Sequence, residues 1–117
     1  MSLTNVLSNE EVNKMGLNAN EQRDLLAALA FNKHVQKAIV FGSRAKGNFK
    51  AGSDVDVCLF GSQLTIQDVV QLGIALEENH WMRKFDFVIY PQITNPDLIA
   101  HIERVGKLIF ERTHNEA

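Results

Sequence analysis

The chain has 117 residues and carries 12 Lys plus Arg against 14 Asp plus Glu, which gives a formal net charge of −2. This length suits one compact domain, over residues 1–117, and the slightly acidic balance does not favour binding to a nucleic acid backbone. The start of the chain lacks the pattern of a secretory signal, and no apolar run approaches the ~20 residues that cross a bilayer. We therefore expect a soluble, cytoplasmic protein without a membrane partner.

The first third of the chain predicts two helices. Ser8 and Glu11 have the spacing of a capping box, which begins a short helix that Gly16 ends. Asn20 is then predicted to cap a second helix that runs to about Phe31 or Asn32. The apolar stripe of this second helix is Leu25, Leu26 and Leu29. We expect this helical segment, about residues 8–32, to precede the core of the domain at about residues 36–112.

The middle of the chain alternates between β-prone and loop-forming sequence. Residues 38–41 and residues 55–60 are short, apolar runs that predict two buried strands. Between them, residues 42–53 hold three of the seven glycines and several small or basic residues, which predicts a loop. Cys58 lies within the second apolar run without a His or Lys beside it, so we interpret it as a small buried hydrophobe.

The second half of the chain predicts a helix, a strand, a second helix and a short final strand. Thr65 and Asp68 have capping-box spacing and begin the first of these helices. Its predicted buried face is Ile66, Val69, Val70, Gly73, Ile74 and Leu76. Residues 84–90 alternate as a strand that Pro91 ends, and Asn95-Pro96 begins a helix that Gly106 follows. Residues 107–112 complete an α+β (α/β layered) domain, with helices packed on a small mixed sheet.

Two aspartates at the start of the second strand are the first candidate site residues. Side chains alternate between the two faces of a strand, so Asp54 and Asp56 point the same way while Val55 and Val57 point into the core. Like charges placed side by side are destabilising, and a divalent cation is the simplest compensation. Oxygen ligands without a cluster of His or Cys favour magnesium or manganese over zinc.

A possible phosphate-binding turn lies between the two strands. Gly42 directly follows the first strand, where a glycine lets the backbone turn and approach a ligand closely. Backbone N–H groups of such a turn and the Ser43 hydroxyl are able to bind phosphate oxygens. Arg44 and Lys46 add positive charge nearby. A phosphate grip beside a pair of carboxylates is the combination that nucleoside triphosphate chemistry requires.

The third candidate carboxylate is Asp86, which interrupts the apolar strand at residues 85–89. A charge within such a run is costly unless it is paired or bound to a metal. If this strand lies beside the strand of Asp54 and Asp56, the three carboxylates share one patch of the sheet. Each signal has an ordinary alternative, since turns are rich in Asp and Gly-Ser, and Asp86 could cap a strand or pair with Arg83 or Lys84. Four histidines show no ligand spacing and are interpreted as surface or satisfied residues: His34, His80, His101 and His114.

The order of these motifs resembles a known signature. Gly42-Ser43, followed after a short gap by Ser53-Asp54-Val55-Asp56, resembles the DNA polymerase β-type nucleotidyltransferase superfamily. Within it, the short chain, the Gly-Ser-Arg-Ala-Lys-Gly opening and the later Asp86 look like the minimal nucleotidyltransferases (MNT), the MntA-like antitoxins of HEPN/MNT pairs. The resemblance implies a polymerase β-like fold, with a catalytic core at about residues 36–112.

The resemblance also implies roles for individual residues. Asp54 and Asp56 would bind two magnesium ions, for which manganese can substitute. Asp86 would bind the catalytic ion and help to activate the acceptor hydroxyl. Gly42 and Ser43 would hold the triphosphate of ATP or another nucleotide, and Arg44 and Ser53 complete the expected nucleotide-binding set.

The function that the resemblance implies is transfer of a nucleoside monophosphate, AMP from ATP, to a protein hydroxyl. The acceptor would be a helical HEPN protein encoded nearby, which the chain would neutralise as an antitoxin. An alternative is a non-catalytic, nucleotide-binding antitoxin that acts by forming a complex with the HEPN protein. Nucleotide addition to a small molecule and template-directed polymerisation fit less well. The acceptor residue, the nucleobase and the formation of a homo-oligomer stay open.

Overall fold

The computed structural model describes residues 3–4, 15–80 and 83–112. The helix predicted between Ser8 and Gly16 lies largely outside these residues. The described elements are, in chain order, β1 (Leu3–Thr4), α1 (Ala19–Phe31), β2 (Lys37–Phe41), α2 (Gly42–Lys46), β3 (Val55–Phe60), α3 (Ile66–Glu77), β4 (Phe85–Ile89), a 3-10 turn (Tyr90–Gln92), α4 (Pro96–Val105) and β5 (Lys107–Arg112).

The five strands form one mixed sheet in the order β1-β5-β2-β3-β4. β3 runs parallel to β4, whereas the pairs β2–β3, β2–β5 and β1–β5 are antiparallel. This arrangement confirms the predicted α+β architecture with a small mixed sheet. The parallel pair matters for the site, because it aligns the starts of β3 and β4 at the same end of the sheet.

Two hydrophobic clusters cover the two faces of the sheet. On one face, α1 and α3 contribute Leu25, Leu29, Leu72 and Leu76 to a core that includes alternate residues of β2, β3 and β4. On the other face, Ile102 of α4 packs with the remaining apolar residues of the same strands. The alternation of side chains thus divides β2, β3 and β4 between the two layers. No helix within the described ranges has the length and apolar character needed to span a membrane.

The start of α1 differs from the sequence prediction. Asn18, and not Asn20, is the N-cap, because its side chain accepts a hydrogen bond from the Glu21 backbone N–H at 2.8 Å. The Glu21 carboxylate accepts from the Asn18 backbone N–H at 2.9 Å in return. This reciprocal pair is a capping box, which satisfies two N–H groups at once and outcompetes a cap at Asn20. The end of the helix at Phe31 is confirmed.

Two further predictions are corrected by the structure. The segment predicted as a loop at residues 42–53 begins with the short helix α2, which Gly47 ends with a left-handed φ of 86°. The predicted buried face of α3 is also partly wrong, since Ile66, Val70 and Ile74 are exposed. Leu72 is buried in their place, together with Leu76. Both sides of this helix are apolar, so periodicity alone did not distinguish the side that faces the core.

Candidate active site

The register of the strands brings three candidate residues together. Across the parallel pair, Asp56 of β3 lies directly opposite Asp86 of β4. Across the antiparallel pair, Phe41 of β2 lies opposite Asp56, so Gly42 follows immediately at the edge of this patch. Asp54 precedes β3 by one residue. The sequence prediction that the β3 and β4 carboxylates are neighbours is therefore confirmed.

The carboxylates lie on the same sheet face as α4. Cys58 and Val88, which continue the Asp56 and Asp86 rows, belong to the cluster around Ile102. Asp56 is half-buried beside this apolar cluster, whereas Asp54 and Asp86 are exposed. The site thus has an apolar floor towards the middle of the sheet and opens to solvent at its end.

Position 42 requires glycine, because the backbone there lies close to the Asp56 side chain. Its φ is 73°, in the left-handed region that favours glycine. A Cβ atom at this position would also collide with Oδ2 of Asp56. The turn therefore brings the backbone of α2 against the carboxylate, which supports the predicted proximity of the Gly42-Ser43 turn to the acidic patch.

His101 of α4 is a residue of this site that sequence reasoning missed. The Gly42 backbone N–H donates to Nε2 of His101 at 3.1 Å, which requires the imidazole to carry its proton on Nδ1 in this arrangement. The ring also packs edge-on against Phe41, with 6.1 Å between the centroids. The prediction of a satisfied histidine holds, but its partner is the turn itself. Nothing in the spacing of the sequence connects residue 101 with residue 42.

The electrostatics of the patch act mainly on Asp56. Burial raises the pKa of its carboxyl, and the nearby charges of Asp86 and Asp54 raise it further, while His101 opposes the shift. Arg83, which the sequence offered as a partner for Asp86, instead donates to Glu21 at 2.8 Å. The patch therefore concentrates negative charge that a bound cation would offset.

The candidate site lies in a part of the chain that matches a known protein family. Residues 23–115 match the family model described as polymerase beta, nucleotidyltransferase. The chain belongs to this nucleotidyltransferase family. The matched range contains most of α1, the whole sheet apart from β1, and all the candidate site residues. It confirms the resemblance that Gly42-Ser43 and Ser53-Asp54-Val55-Asp56 indicated.

Solved structures share the fold of this nucleotidyltransferase domain. A toxin–antitoxin with AMP-PNP is 21% identical with a TM-score of 0.63, covering 85% of this chain and 77% of the other. The MntA–HepT toxin–antitoxin is 16% identical with a TM-score of 0.60, covering 81% and 74%. The tri-AMPylated Shewanella oneidensis HEPN toxin in complex with MNT antitoxin is 17% identical with a TM-score of 0.59, covering 80% and 71%. No curated protein matches the chain significantly in sequence.

The residues of the patch fit the divalent cations that nucleotidyltransferase folds generally use. All three side chains are carboxylates, which are the hard oxygen donors that magnesium prefers. Among the described residues, however, no three His, Cys, Asp or Glu side chains converge closely enough to form a metal cluster. Asp54, Asp56 and Asp86 lie at the same end of the sheet, where burial first, and then the charges of Asp86 and Asp54, raise the pKa of Asp56.

Arg44, which the sequence predicts to contact the nucleotide, is instead buried and bonded to backbone carbonyls. Its side chain is only 2% exposed, and its guanidinium donates to the Met15 carbonyl at 2.7 Å and to the Ser53 carbonyl at 2.9 Å. Phe49 stacks on it at 4.5 Å. These contacts satisfy the guanidinium on the inner side of the loop, so we exclude Arg44 from the nucleotide site proposed below.

Ser53 shapes the same loop. Its hydroxyl accepts a hydrogen bond from the Lys50 backbone N–H at 2.9 Å, while its carbonyl accepts from Arg44. Together these contacts fix the chain just before Asp54. Lys46 is exposed at the end of α2. The basic residues of this segment therefore differ in role, a distinction that composition does not reveal.

Cys58 is fully buried on β3, as the sequence predicted. Burial raises the pKa of its thiol to about 12, with a small opposing effect of Lys37. A thiol with this pKa stays protonated at neutral pH and is a poor nucleophile.

Proposed function

We propose that this chain is a magnesium-dependent nucleotidyltransferase that moves AMP from ATP to a protein hydroxyl. The observation that carries the proposal is the meeting of Asp56, Asp86 and the left-handed Gly42 turn at one end of the sheet. Membership of the nucleotidyltransferase family supports transfer of a nucleotidyl group in general. AMP as the group and a protein as the acceptor are our proposal.

The geometry suggests how the chain's own residues contribute to this reaction. Asp54 and Asp56 would hold the metal ions, together with Asp86, while the Gly42-Ser43 turn orients the triphosphate beside them. When bound, the ions supply positive charge to the phosphates and lower the pKa of a hydroxyl. Asp86, exposed on the edge strand β4, is accessible to an acceptor and can orient its hydroxyl and take its proton.

The proposed transfer needs no reactant other than ATP and the acceptor hydroxyl. The acceptor oxygen forms a bond to the α-phosphorus as the bond to pyrophosphate breaks, and the hydroxyl proton leaves to Asp86 and then to solvent. Most of the rate enhancement would come from positioning and from charge arranged in advance. Gly42, held by His101, would keep the turn in place during this step.

We further propose that the acceptor is a HEPN-family protein and that the chain acts as its antitoxin. The support is the shared fold with MNT antitoxins, one of which is described in complex with a tri-AMPylated HEPN toxin. AMP adds bulk and negative charge to a hydroxyl side chain. Both would obstruct a ribonuclease site that binds an anionic RNA backbone.

Intact mass spectrometry of the proposed HEPN-family partner tests the proposal. After incubation with the purified chain, ATP and Mg²⁺, we expect the partner's mass to increase by one or more AMP groups. Asp54→Asn and Asp86→Asn should abolish the increase. Asp97→Asn, which removes an exposed carboxylate on α4, is the matched control and should retain it. A stable complex that inhibits the partner without any mass change would instead establish the non-catalytic alternative.

A further inference from the structure

The outer side of α3 is unusually apolar. Among the described residues, the exposed large hydrophobic side chains are Phe31 and three residues of α3, namely Ile66 at 71%, Val70 at 52% and Ile74 at 53% exposure. The three α3 residues are spaced four apart and form a stripe along one side of the helix. The buried side carries Leu72 and Leu76. We call the stripe of Ile66, Val70 and Ile74 the outer α3 face.

This face also lacks the charges of an ordinary solvated helix. Between Ile66 and Leu76 the one charged residue is Asp68, which is 7% exposed and bonded to Asn32 and His34. The remaining exposed side chains beside the stripe include two glutamines, Gln67 and Gln71. An apolar stripe without charges is typical of a surface that another molecule covers.

The shape of the surface around the outer α3 face suits packing by another helix. Two open grooves flank α3, with volumes of about 490 Å³ on the α1 side and 390 Å³ on the β4 side. The helix therefore stands as a ridge between them, the form that helix pairs use when ridges enter grooves. A Cβ atom on Gly73 would meet nothing within 4 Å, so packing within the chain does not require glycine there. A small residue at this point lets a second helix approach closely.

The symmetry of the stripe indicates which helix fits. Val70 is its midpoint, with Ile66 four residues before and Ile74 four residues after. A second α3 packed antiparallel about a two-fold axis at Val70 brings Ile66 of each copy against Ile74 of the other. This self-complementary arrangement is the one that two-fold dimers require.

The charges at the two ends of α3 complement each other in the same arrangement. Exposed Lys33 lies near the beginning of α3, because its neighbours Asn32 and His34 both bond to Asp68. Exposed Glu77 and Glu78 lie at the opposite end of the helix. Antiparallel packing brings the acidic end of one copy to the basic end of the other. It also brings those carboxylates to the positive N-terminal end of the opposing helix.

We propose that the outer α3 face pairs with the same face of a second copy of this chain, antiparallel about a two-fold axis at Val70. The proposal rests on α3 and its surroundings and not on the catalytic activity. α3 covers the sheet face opposite to Asp56 and Asp86, so the dimer leaves both candidate active sites open. A contact centred on one helix of 12 residues falls at the small end of specific interfaces, which bury roughly 1,200–2,000 Å². The dimer should therefore dissociate on dilution.

Sedimentation velocity over a wide range of concentrations tests the association. We expect the wild-type chain to shift from monomer to dimer as its concentration rises. Val70→Lys places two like charges together at the two-fold axis and should leave a monomer at every concentration. Val70→Leu keeps the apolar contact and should retain the dimer. Ala100→Lys, at an exposed position of α4, is the matched charge control and should also dimerise.

Engineered disulfides test the orientation. Val70→Cys should form a disulfide with itself across the axis under mild oxidation. Ile66→Cys and Ile74→Cys should form a disulfide when mixed but not separately, because eight helical residues at 1.5 Å each separate like positions by about 12 Å. The native Cys58 is fully buried and should not take part. Self-linking of Ile66→Cys as readily as the mixed pair would overturn the antiparallel arrangement.

A wild-type chain that stays monomeric at all concentrations would overturn the proposal and leave the outer α3 face to a different partner. A dimer that persists in Val70→Lys would overturn it as well. The melting temperature of each variant serves as the check on folding, and we expect it to change little in the monomeric state because residue 70 is half exposed.

Discussion

Asp56 is affected both by burial and by the charges of the neighbouring carboxylates. Its pKa is raised by burial, then by Asp86 and Asp54, so the charged form costs stability in the fold. This cost is absent in acid, grows as the pH rises from the ordinary pKa of 3.8 towards the raised pKa, and is complete above it. We therefore expect Asp56→Asn to melt at the same temperature as the wild type or higher at neutral pH. The difference should vanish below the ordinary pKa of 3.8.

The same substitution should abolish nucleotidyl transfer, because an amide is a poor ligand for a hard cation. Melting curves at several pH values and a transfer assay check the two outcomes separately. Asp97→Asn again serves as the control for loss of an exposed carboxylate. Transfer by Asp56→Asn within a few fold of the wild type would contradict a metal-binding role for Asp56.

Gly42 allows a second test at the scale of one residue. Alanine at this position would have to adopt a φ of 73° and would press its Cβ against Asp56. The left-handed conformation alone costs a non-glycine residue about 1–2 kcal/mol. We expect Gly42→Ala to lose at least that much in the free energy of unfolding and to lose transfer activity.

Chemical denaturation and the transfer assay measure both effects. Gly52→Ala is the matched control, because a Cβ atom there meets nothing within 4 Å and the residue lies in the same loop. It should be neutral or slightly stabilising, since alanine restricts the unfolded chain. Equal behaviour of the two variants would show that the Gly42 turn is not under the constraint described here.

The residues of the site differ in how far the sequence predicts them. The sequence predicts the placing of Asp54, Asp56 and Asp86 at one end of the sheet, because period-two alternation and a charge in an apolar strand are local signals. The buried position of Arg44 was not found, because its partners at Met15 and Ser53 become neighbours only when the loop folds over α2. His101 was missed for the same reason, since α4 meets β2 only in the tertiary structure.

Among the elements, α3 begins with a capping box that is also joined to α1. Burial would raise the pKa of Asp68, but hydrogen bonds from the Thr65 backbone, His34 and Asn32 outweigh it and lower the pKa to about 2. The charged carboxylate is therefore favoured in the fold. Its contribution to stability is present above the ordinary pKa of 3.8 and is lost as the pH falls towards 2.

We expect Asp68→Asn to lower the free energy of unfolding by about 1–3 kcal/mol at neutral pH, since charged hydrogen bonds are weakened. The deficit relative to the wild type should shrink between pH 4 and pH 2. Denaturant titrations at several pH values provide the measurement. Glu77→Gln removes an exposed carboxylate from the same helix and should change stability little at any of them. A deficit that does not depend on pH would contradict the role of the charge.

The elements themselves were largely predictable, and their orientation was less so. The capping pairs, the apolar runs and Pro96 gave α3, β2, β3 and α4 close to their observed bounds. The sequence predicts a loop where α2 lies, because a segment of five residues that begins with glycine is too short to show helical periodicity. For α3, two apolar sides were available, and only the fit of Leu72 and Leu76 into the core decides which one is buried.

At the scale of the whole molecule, the candidate active site and the apolar stripe of α3 lie on opposite sides of the sheet. The face under α4 carries the carboxylates at its open end, and the face under α1 and α3 leads outward to the apolar stripe around Val70. Because β2, β3 and β4 each contribute to both layers, and β5 pairs with β2, the site depends on the integrity of the sheet. A contact that holds the last strand against the first described helix should therefore affect all of it.

Arg112 makes that contact. It is 6% exposed on β5, and its guanidinium donates to the carbonyls of Val35, Leu29, Ala30 and Asn32 at 3.0–3.3 Å. These carbonyls belong to the end of α1 and to the segment that enters β2, about eighty residues earlier in the chain. Carbonyls at a helix C-terminus lack intrahelical donors, and Arg112 supplies donors to those of Leu29 and Ala30, while the Asn32 carbonyl also accepts from the Val35 backbone N–H at 3.1 Å.

We expect Arg112→Met, which keeps most of the side-chain length, to lower the free energy of unfolding by about 2–4 kcal/mol, because the carbonyls at the end of α1 and at Val35 lose a charged donor. The loss should appear as one cooperative transition at lower denaturant concentration, since the contact joins β5 to both α1 and β2. Denaturation followed by circular dichroism and by tryptophan fluorescence checks both the size and the cooperativity. Arg104→Met, at an exposed position in the last turn of α4, should cost well under 1 kcal/mol. If the two variants were equally stable, Arg112 would not hold the ends of the fold together, and a two-step transition would show that β5 separates from the rest of the sheet before it unfolds.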